Sequence, residues 1–522
     1  MTSRWRRTRI VVAAAALGSL LIGGAAAIAA PGGNGWNSAG GDRQNTRYAA
    51  SESKISPATV GGLTKKWDLT TGGDVSATPA VDGQRVYVPD WAGNLYAVNR
   101  TTGAVVWQRT ITSYTGVPGD KARATPAVSD SAIVIGTQGP FGGGGKVLAI
   151  NKDTGALLWS TQADSNPGAI ITQSATVFDG VVYVGVASQE EAYAAFVPGY
   201  DCCTFRGSML AIDLATGRIL WKTYMTPNGF PGNAVWGSSP AIDTKRGSVY
   251  IATGNNYDVP ADVLACVAAA GSDPVRKAAC LPADDFFDSI VALDLRTGAV
   301  KWATRALPFD AWTVDCIPFV GDGSNCPEPA GPDYDFGQAP ALFTVKADGK
   351  SRDLVGAGQK SGQYWALDAD TGAVVWRTQA GPGGTAGGLQ WGSAVDGRRV
   401  YTANANSNFA PWPAPAGPTS GVWPALDAVT GRTVWETRPP DGGGTSGPVT
   451  TANGVVFGCS LDSQGHMYAL NAATGAILWS FASGGSCLSG AAISNGALYW
   501  GSGYSNFGFG SGNNKLYAFG LN

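Results

Sequence analysis

The sequence predicts an all-β fold, an eight-bladed β-propeller, and three observations support that prediction. A hairpin unit that ends in T-G-x-x-x-W recurs along the chain. Apolar residues alternate with a period of two, as in strands, and no stretch beyond the N-terminal segment keeps a helical period. The 522 residues include 74 glycines, about twice the ordinary ~7% frequency, as many tight turns require.

The hairpin unit is clearest in residues 208–221. Met209 and Ala211 belong to an alternating strand, Thr216-Gly217 is typical of a turn, and Trp221 ends the returning strand. A single hairpin cannot bury its apolar face, so each tryptophan is interpreted as a packing wedge between neighbouring repeats. Seven copies end in a tryptophan, namely Trp107, Trp159, Trp221, Trp302, Trp376, Trp435 and Trp479.

An eighth copy is split between the two ends of the chain. Residues 515–519 supply its first strand, and residues 63–67 supply the strand that ends in Trp67. The ends are therefore expected to pair in one blade, which closes the ring and removes exposed sheet edges. Propellers usually have four to eight blades, and this chain is predicted to have eight.

The N-terminal 30 residues are predicted to be a signal peptide. Arg4, Arg6, Arg7 and Arg9 precede a run of Ala, Leu, Ile and Gly that ends in A-I-A-A. An uncleaved anchor is the alternative, since the run approaches the ~20 residues that span a bilayer. Its weak apolarity favours cleavage. A secreted or periplasmic protein without stable membrane insertion is expected, with a polar lead-in at 31–57 and the propeller at 58–522.

Composition and cysteines fit an exported protein. A net charge of −2 argues against nucleic acid as a partner.

Two free thiols or two separate bridges are alternatives for the adjacent Cys202 and Cys203, but the other six cysteines pair without them, which favours a vicinal bridge. The expected pairs are Cys202 with Cys203, Cys266 with Cys280, Cys316 with Cys326, and Cys459 with Cys487. The sole histidine, His466, is interpreted as a surface turn residue.

The spacing of the tryptophans indicates where a site lies. The gaps are longest before Trp302 and Trp376, at 81 and 74 residues, so the middle blades carry the long loops. Loops on a rigid scaffold usually hold the function, and the site is therefore expected between about Ser188 and Asn406.

Several residues in this region could carry chemistry, although each alone is more often packing or turn structure. Trp236 enters an inner strand and could face a planar ligand. Asn255 offers a neutral oxygen that a hard cation accepts, and Glu190-Glu191 is the chain's only pair of adjacent glutamates. A loop pair in contact with solvent is the alternative for these glutamates.

Asp335 and Lys360 come at facing ends of two predicted inner strands. The two side chains could form only an ion pair, or they could be a general base beside a cationic clamp.

At these residues the chain resembles the pyrroloquinoline quinone (PQQ) dependent alcohol dehydrogenases, and within them the polyvinyl-alcohol dehydrogenase branch. The resemblance covers nearly all of the mature chain. The hairpin repeats alone are weakly diagnostic, and their combination with the site segments is specific. Those segments are V-A-S-Q-E-E, C-C-T-F-R-G, W-G-S-S-P-A-I-D, A-T-G-N-N, D-Y-D-F-G and G-Q-K-S-G-Q-Y-W-A-L-D.

The resemblance implies PQQ on the propeller axis between a tryptophan face and a Cys-Cys bridge, with Ca²⁺ held by a glutamate and an asparagine. Here the Cys pair follows the glutamates in an inserted loop, whereas the methanol-type enzymes carry it on an earlier blade. The implied cofactor-binding residues are Trp236, Lys360, Cys202, Cys203, Arg206, Ser188 and Asn406. The implied metal-binding residues are Asn255, Asp335 and either Glu190 or Glu191, the choice between the two glutamates staying open.

The resemblance also implies a catalytic aspartate, and Asp335 in Y-D-F is assigned to it. The rival segment holds Asp310 but has Thr313 where the aspartate should be. Gly337, rather than a further acid, follows two residues after Asp335, which favours calcium over a lanthanide.

The implied reaction is oxidation of an alcohol, secondary or polymeric, to a ketone or aldehyde, with electrons passed to an external cytochrome c or other acceptor. The alternative is a non-catalytic propeller that serves as a scaffold in envelope assembly. A lipoprotein of that kind needs a cysteine directly after its signal, and none precedes Cys202.

Overall fold

The computed structural model describes Met1 and residues 35–140, 142–413, 417 and 420–522. These residues form eight antiparallel sheets, arranged as the predicted eight-bladed β-propeller. In blades 1 and 2, for example, the first strand is buried and the last is the most exposed, as expected for strands that run from the axis outward. Apart from Met1, the predicted signal peptide lies outside the described residues.

The strands follow the chain blade by blade. Strand β1 (Thr64–Thr70) belongs to blade 8. Blade 1 has β2 (Ala80–Val81), β3 (Arg85–Pro89), β4 (Asn94–Asn99) and β5 (Val105–Thr110), and blade 2 has β6 (Ala127–Val128), β7 (Ala132–Gly136), β8 (Lys146–Asn151) and β9 (Leu157–Gln162). Blade 3 has β10 (Ala169–Ile170), β11 (Thr176–Phe178), β12 (Val181–Ser188), β13 (Ser208–Asp213) and β14 (Ile219–Tyr224). Blade 4 has β15 (Ala241–Asp243), β16 (Ser248–Ala252), β17 (Ser289–Asp294) and β18 (Val300–Arg305).

The second half repeats this order. Blade 5 has β19 (Ala341–Ala347), β20 (Lys350–Gly358), β21 (Gln363–Asp368) and β22 (Val374–Gln379), and blade 6 has β23 (Ala394–Val395), β24 (Arg399–Tyr401), β25 (Trp423–Asp427) and β26 (Thr433–Thr437). Blade 7 has β27 (Thr450–Ala452), β28 (Val455–Cys459), β29 (His466–Asn471) and β30 (Ile477–Ala482), and blade 8 has β31 (Ala492–Ser494), β32 (Ala497–Ser502) and β33 (Lys515–Gly520), followed outward by β1.

Helices are short and lie in the connections. They are α1 (Ile111–Thr115), α2 (Glu190–Phe196), α3 (Ala261–Ala270) and α4 (Pro274–Ala279), with 3₁₀ turns at Val60–Gly62, Val314–Cys316 and Asn506–Gly508. Within the described part of the chain, no helix has the length and apolar character needed to cross a membrane.

The repeated T-G-x-x-x-W pattern has a direct structural cause at seven of the eight blade junctions. The indole N–H of Trp107 donates to the Lys152 carbonyl of the next blade at 3.0 Å. Its ring lies against Gly155, whose φ is +71° and where a Cβ would come within 2.9 Å of the indole. Glycine is needed there both for the left-handed backbone and for the close approach of the ring. The tryptophan of one blade therefore packs on the Thr-Gly turn of the next.

The ring closes as the split repeat predicts. Strand β1 pairs with β33 from Thr64 opposite Gly520 to Thr70 opposite Lys515. The Trp479 indole N–H of blade 7 donates to the Leu63 carbonyl at 3.1 Å, so the junction into blade 8 has the same contact as the others.

The segment before the propeller packs along its inner strands. Carbonyl groups of this segment accept backbone N–H bonds from blades 2, 4, 5, 6 and 7 in turn, with Asn37, Arg43, Gln44, Thr46 and Arg47 as the acceptors. Residues 35–47 thus join the innermost strands of several blades around the axis.

All four expected disulfides are present. The pairs are Cys202–Cys203, Cys266–Cys280, Cys316–Cys326 and Cys459–Cys487. The second bridge joins α3 to α4, and the third closes a loop between blades 4 and 5.

Candidate active site

A cavity of ≈ 710 Å³ opens on one face of the propeller at its axis. Its size falls in the ~300–1,000 Å³ range of small-molecule sites. The polar side chains that line it include Glu191, Asp335 and Lys360, and aromatic walls come from Trp236 and Trp391. Blades 3 to 6 supply these residues from the connections on one face.

Both carboxylate oxygens of Asp335 accept hydrogen bonds. Oδ1 accepts the backbone N–H of Asn255 at 2.8 Å, and Oδ2 accepts the indole N–H of Trp236 at 3.0 Å. A Cβ at Gly254 would lie 2.9 Å from Oδ2, so only glycine leaves room for the carboxylate. The carboxylate is therefore fixed in position, and it is 4% exposed, at the cavity wall.

Lys360 is the cation of the site. Its Nζ lies 2.7 Å from Asp333 Oδ1 and 3.3 Å from Asp335 Oδ2, and 5.6 Å from the centre of the Trp236 ring. Burial opposes the ammonium form, but the carboxylates of Asp333, Asp335 and Glu191 outweigh it and raise the pKa of Lys360. Lys360 stays protonated and faces an excess of acids.

The two adjacent glutamates have different surroundings at the start of α2. Glu190 accepts backbone N–H bonds from Thr204 at 2.9 Å and Phe205 at 2.7 Å, and the Tyr200 hydroxyl at 2.7 Å. Glu190 thus anchors the loop that carries the Cys pair. Glu191 lines the cavity, and its Oε1 is buried without a hydrogen-bond partner in the described part of the chain.

Lys360 compensates the negative charge of Glu191 only in part. Burial raises the pKa of Glu191 to about 7, Lys360 opposes the rise, and Asp335 adds to it. A buried oxygen that lacks a donor, in a carboxyl group beside other acids, is suited to bind a cation.

An arginine that the sequence reasoning did not select lies at the other side of the cavity. Arg123 packs over the ring of Trp391, with Cζ 4.9 Å from its centre, and forms no salt bridge with any described carboxylate. Burial lowers the pKa of Arg123, and Tyr504 opposes that effect. This guanidinium is available to an anionic ligand group.

The structure brings together six of the sequence-predicted residues and leaves others outside the lining. Cavity-lining residues are Trp236, Lys360, Asp335, Ser188 and Asn406, together with Glu191. Cys202, Cys203, Glu190 and Asn255 are not among them. Arg206 donates to the Thr226 carbonyl and packs 4.2 Å from the centre of the Tyr224 ring, so it is engaged away from the cavity.

Asp310, the rival for the catalytic position, lies outside the cavity and holds the backbone that precedes Asp335. Its carboxylate accepts the backbone N–H groups of Asp333 at 3.1 Å and Tyr334 at 2.8 Å, and the residue is fully buried. Asp310 therefore shapes the turn that presents Asp335 and does not itself line the cavity.

His466 lies in blade 7 and does not line the cavity. It is the first residue of β29 and is partly buried, and its Nδ1 is 3.1 Å from Asp441 and 3.0 Å from Asp462.

The chain is similar in sequence and in fold to several known propeller proteins. Residues 25–304 and 360–519 match the family model described as outer membrane protein assembly factor BamB. The solved quinohemoprotein alcohol dehydrogenase from Comamonas testosteroni superposes with a TM-score of 0.68 at 20% identity, over 94% of this chain and 80% of that one. The class is therefore a repeat propeller with the architecture of the quinoproteins.

Two relatives of known name indicate a branch within the quinoproteins. Polyvinylalcohol dehydrogenase of Sphingopyxis sp. (strain 113P3) is 33% identical, over 85% of this chain and 66% of that protein. Polyvinylalcohol dehydrogenase of a Pseudomonas species is 31% identical, over 85% and 67%. The chain belongs to the PQQ-dependent alcohol dehydrogenase family, in its polyvinyl-alcohol dehydrogenase branch. It spans about two thirds of the length of these relatives.

Proposed function

We propose that this protein is an exported PQQ- and calcium-dependent dehydrogenase that oxidises a secondary or polymeric alcohol. The observation that carries the proposal is the Asp335–Lys360 pair beside Trp236 at the wall of the axial cavity, with Glu191 Oε1 unsatisfied next to it. The relatives named polyvinylalcohol dehydrogenase support the substrate class.

The residues fit the cofactor and the cation. Trp236 and Trp391 supply apolar faces for a planar ring system, and Arg123 supplies a guanidinium for a carboxylate. Glu191 and Asp335 offer carboxylate oxygens to a hard cation. Asn255 is the third candidate, because its Nδ2 donates to two backbone carbonyls and leaves the side-chain oxygen for a cation.

When bound, PQQ would supply a two-electron acceptor, and calcium would supply a Lewis acid for its carbonyl. The chain's own contribution is to hold a base and keep its geometry fixed. Asp335 would accept the hydroxyl proton of the alcohol at Oδ2, while Asn255 N–H and the Trp236 indole keep the carboxylate in place. Lys360 would remain the positive partner of Asp333 and Asp335.

Four of the sequence-predicted residues would support the site without contacting the cofactor, namely Cys202, Cys203, Arg206 and Glu190. Glu190 fixes the loop after the vicinal bridge, and Cys203 packs in the same apolar cluster as Trp236. The bridge would thus buttress the tryptophan that the cofactor contacts.

Electrons would leave to an external cytochrome c or comparable acceptor, and the site of action would be the periplasm or the medium. These assignments rest on the family and on the predicted signal peptide.

The scaffold alternative has one observation in its favour, the match to the model described as an outer membrane assembly factor. An assembly scaffold has no need for a buried lysine between two aspartates at the wall of a cavity. Burying these charges is costly, which favours a catalytic site.

The test is reconstitution of the metal-free protein with PQQ and Ca²⁺, read by absorbance and by dye-linked oxidation of secondary alcohols and polyvinyl alcohol. The Asp335→Asn variant should keep PQQ binding and lose ~10²-fold or more in kcat, since it cannot take the proton. If the quinone neither binds nor raises the melting temperature, the proposal fails. Equal turnover in Asp335→Asn would exclude Asp335 as the base.

A further inference from the structure

A second, smaller cavity of ≈ 60 Å³ lies on the axis beneath the candidate active site. Arg47 and Arg123 both line it, and Trp391 and Thr172 border both cavities. Arg47 comes from the segment that joins the inner strands, so the smaller cavity lies between that segment and the active site.

Arg47 is a buried cation without a described carboxylate partner. It is 1% exposed, and its donors go only to neutral acceptors: the carbonyls of Ala39 and Val449 and the hydroxyls of Thr78 and Thr450. Burial lowers the pKa of Arg47 to about 9, with no acid to oppose the effect. Buried charges are normally paired, because desolvation of a lone ion is costly.

The space around Arg47 is shaped for the guanidinium. A Cβ at Gly490 would collide with its Nη2, and one at Gly392 would lie 3.0 Å from its Cδ. Both positions must be glycine for the arginine to reach the axis.

The rest of the lining offers hydroxyl groups and no carboxylate among the described residues. Thr78 accepts a hydrogen bond from Arg47, and Ser174 accepts one from the backbone N–H of Thr125. Each of these two hydroxyls therefore keeps its own hydrogen for a further acceptor. Two guanidinium groups and free hydroxyl donors face a volume several times the ~10–15 Å³ that one water requires.

We propose that this axial cavity is a binding site for a small inorganic anion, with chloride as the physiological occupant, held between Arg47 and Arg123. The anion neutralises the buried guanidinium charge and ties the inner segment to blades 1 and 2. The site goes beyond the proposed dehydrogenase activity and does not depend on it. Because Arg123 also borders the larger cavity, a carboxylate of a bound cofactor is the alternative anion, and the experiment must distinguish it from chloride.

The decisive experiment is anomalous diffraction from crystals of the protein soaked in sodium bromide, prepared with and without PQQ. A bromide peak in contact with Arg47 and Thr78 in both preparations is the expected result. A peak that disappears on loading PQQ would assign the cavity to a cofactor carboxylate and overturn the separate site. If the cavity holds only water and shows no anomalous signal, the proposal of an anion site is overturned as well.

A solution measurement accompanies the diffraction. The melting temperature of the PQQ-free protein should rise saturably with chloride and stay constant with gluconate at the same ionic strength. Arg47→Gln should abolish the rise. Thr78→Val, which should fold even if Arg47→Gln does not, should weaken the chloride affinity by about tenfold, since it removes one hydrogen bond to a charged group. Thr101→Val, in an exposed turn, is the matched control and should behave as the native protein. An unchanged chloride response in Thr78→Val would contradict the site.

Discussion

Adjacent glutamates with opposite roles give the sharpest test of the proposed metal site. Glu191→Gln removes a carboxyl whose pKa is raised by burial from 4.5 to about 7. Such a group binds its proton more tightly in the folded chain, so stability falls as pH rises from about 4.5 to about 7 and stays lower above that range. Ionised Glu191 then costs up to roughly 3 kcal/mol in the cation-free protein.

At pH 8 without calcium, Glu191→Gln should therefore be more stable than the native protein, by up to that amount, and near pH 4 the two should be equal. Glu190→Gln should instead be less stable than the native protein at pH 8. It turns an amide towards the N–H groups of Thr204 and Phe205 and loses charge-assisted bonds, so it should destabilise by about 2–4 kcal/mol at pH 8.

Denaturant unfolding in EDTA measures both effects, and calorimetric titration with Ca²⁺ measures binding. Calcium affinity should be lost in Glu191→Gln and retained in folded Glu190→Gln. If Glu190→Gln removes binding without loss of stability while Glu191→Gln binds calcium normally, the assignment of the metal ligand to Glu191 is wrong.

Two further predictions concern pH and packing. Calcium should bind about tenfold more tightly at pH 8 than at pH 6, because the pKa of Glu191 near 7 makes its proton compete below neutrality; a flat profile by titration calorimetry would contradict this. Gly155→Ala should destabilise by at least ~2 kcal/mol in denaturant unfolding, because both the left-handed backbone and the Trp107 ring oppose a Cβ. Gly180→Ala has a φ of +73° and no atom within 4 Å, so it should cost only the backbone part; an equal loss in both variants would refute the packing argument.

The fold could be predicted because its determinants are local and repeated. Seven of the eight junctions use one tryptophan and one Thr-Gly turn, such as Trp159 with Gly217, so the pattern reports the packing directly. The split blade followed from the same pattern at the two ends. The path of residues 35–47 along the inner strands could not be predicted, because each blade is joined through a backbone carbonyl of this segment, and such bonds do not depend on the type of side chain.

The site was predictable only in part. Glu190 and Glu191 differ by one position at the start of a helix, and one step turns a side chain by about 100°, so sequence alone could not decide which faces the cavity. Arg206 was favoured by its place after the Cys pair, yet the inserted loop carries it to Thr226. Arg123 was missed because it lies in the ordinary entry to an inner strand. Its signal is the arginine of R-A-T-P-A, at the position where blade 1 has serine in S-A-T-P-A.

The charges along the axis give a final constraint on what the protein binds. Glu191, Asp333 and Asp335 outnumber Lys360 at one side of the larger cavity, while Arg123 at the other side has no described acid as a partner. A ligand that fits both sides must meet the acidic side through a cation and the basic side through an anionic group. PQQ with calcium has both parts, whereas an uncharged alcohol alone has neither. The polarity of the axis thus favours a charged, planar cofactor and leaves the rest of the larger cavity for the substrate.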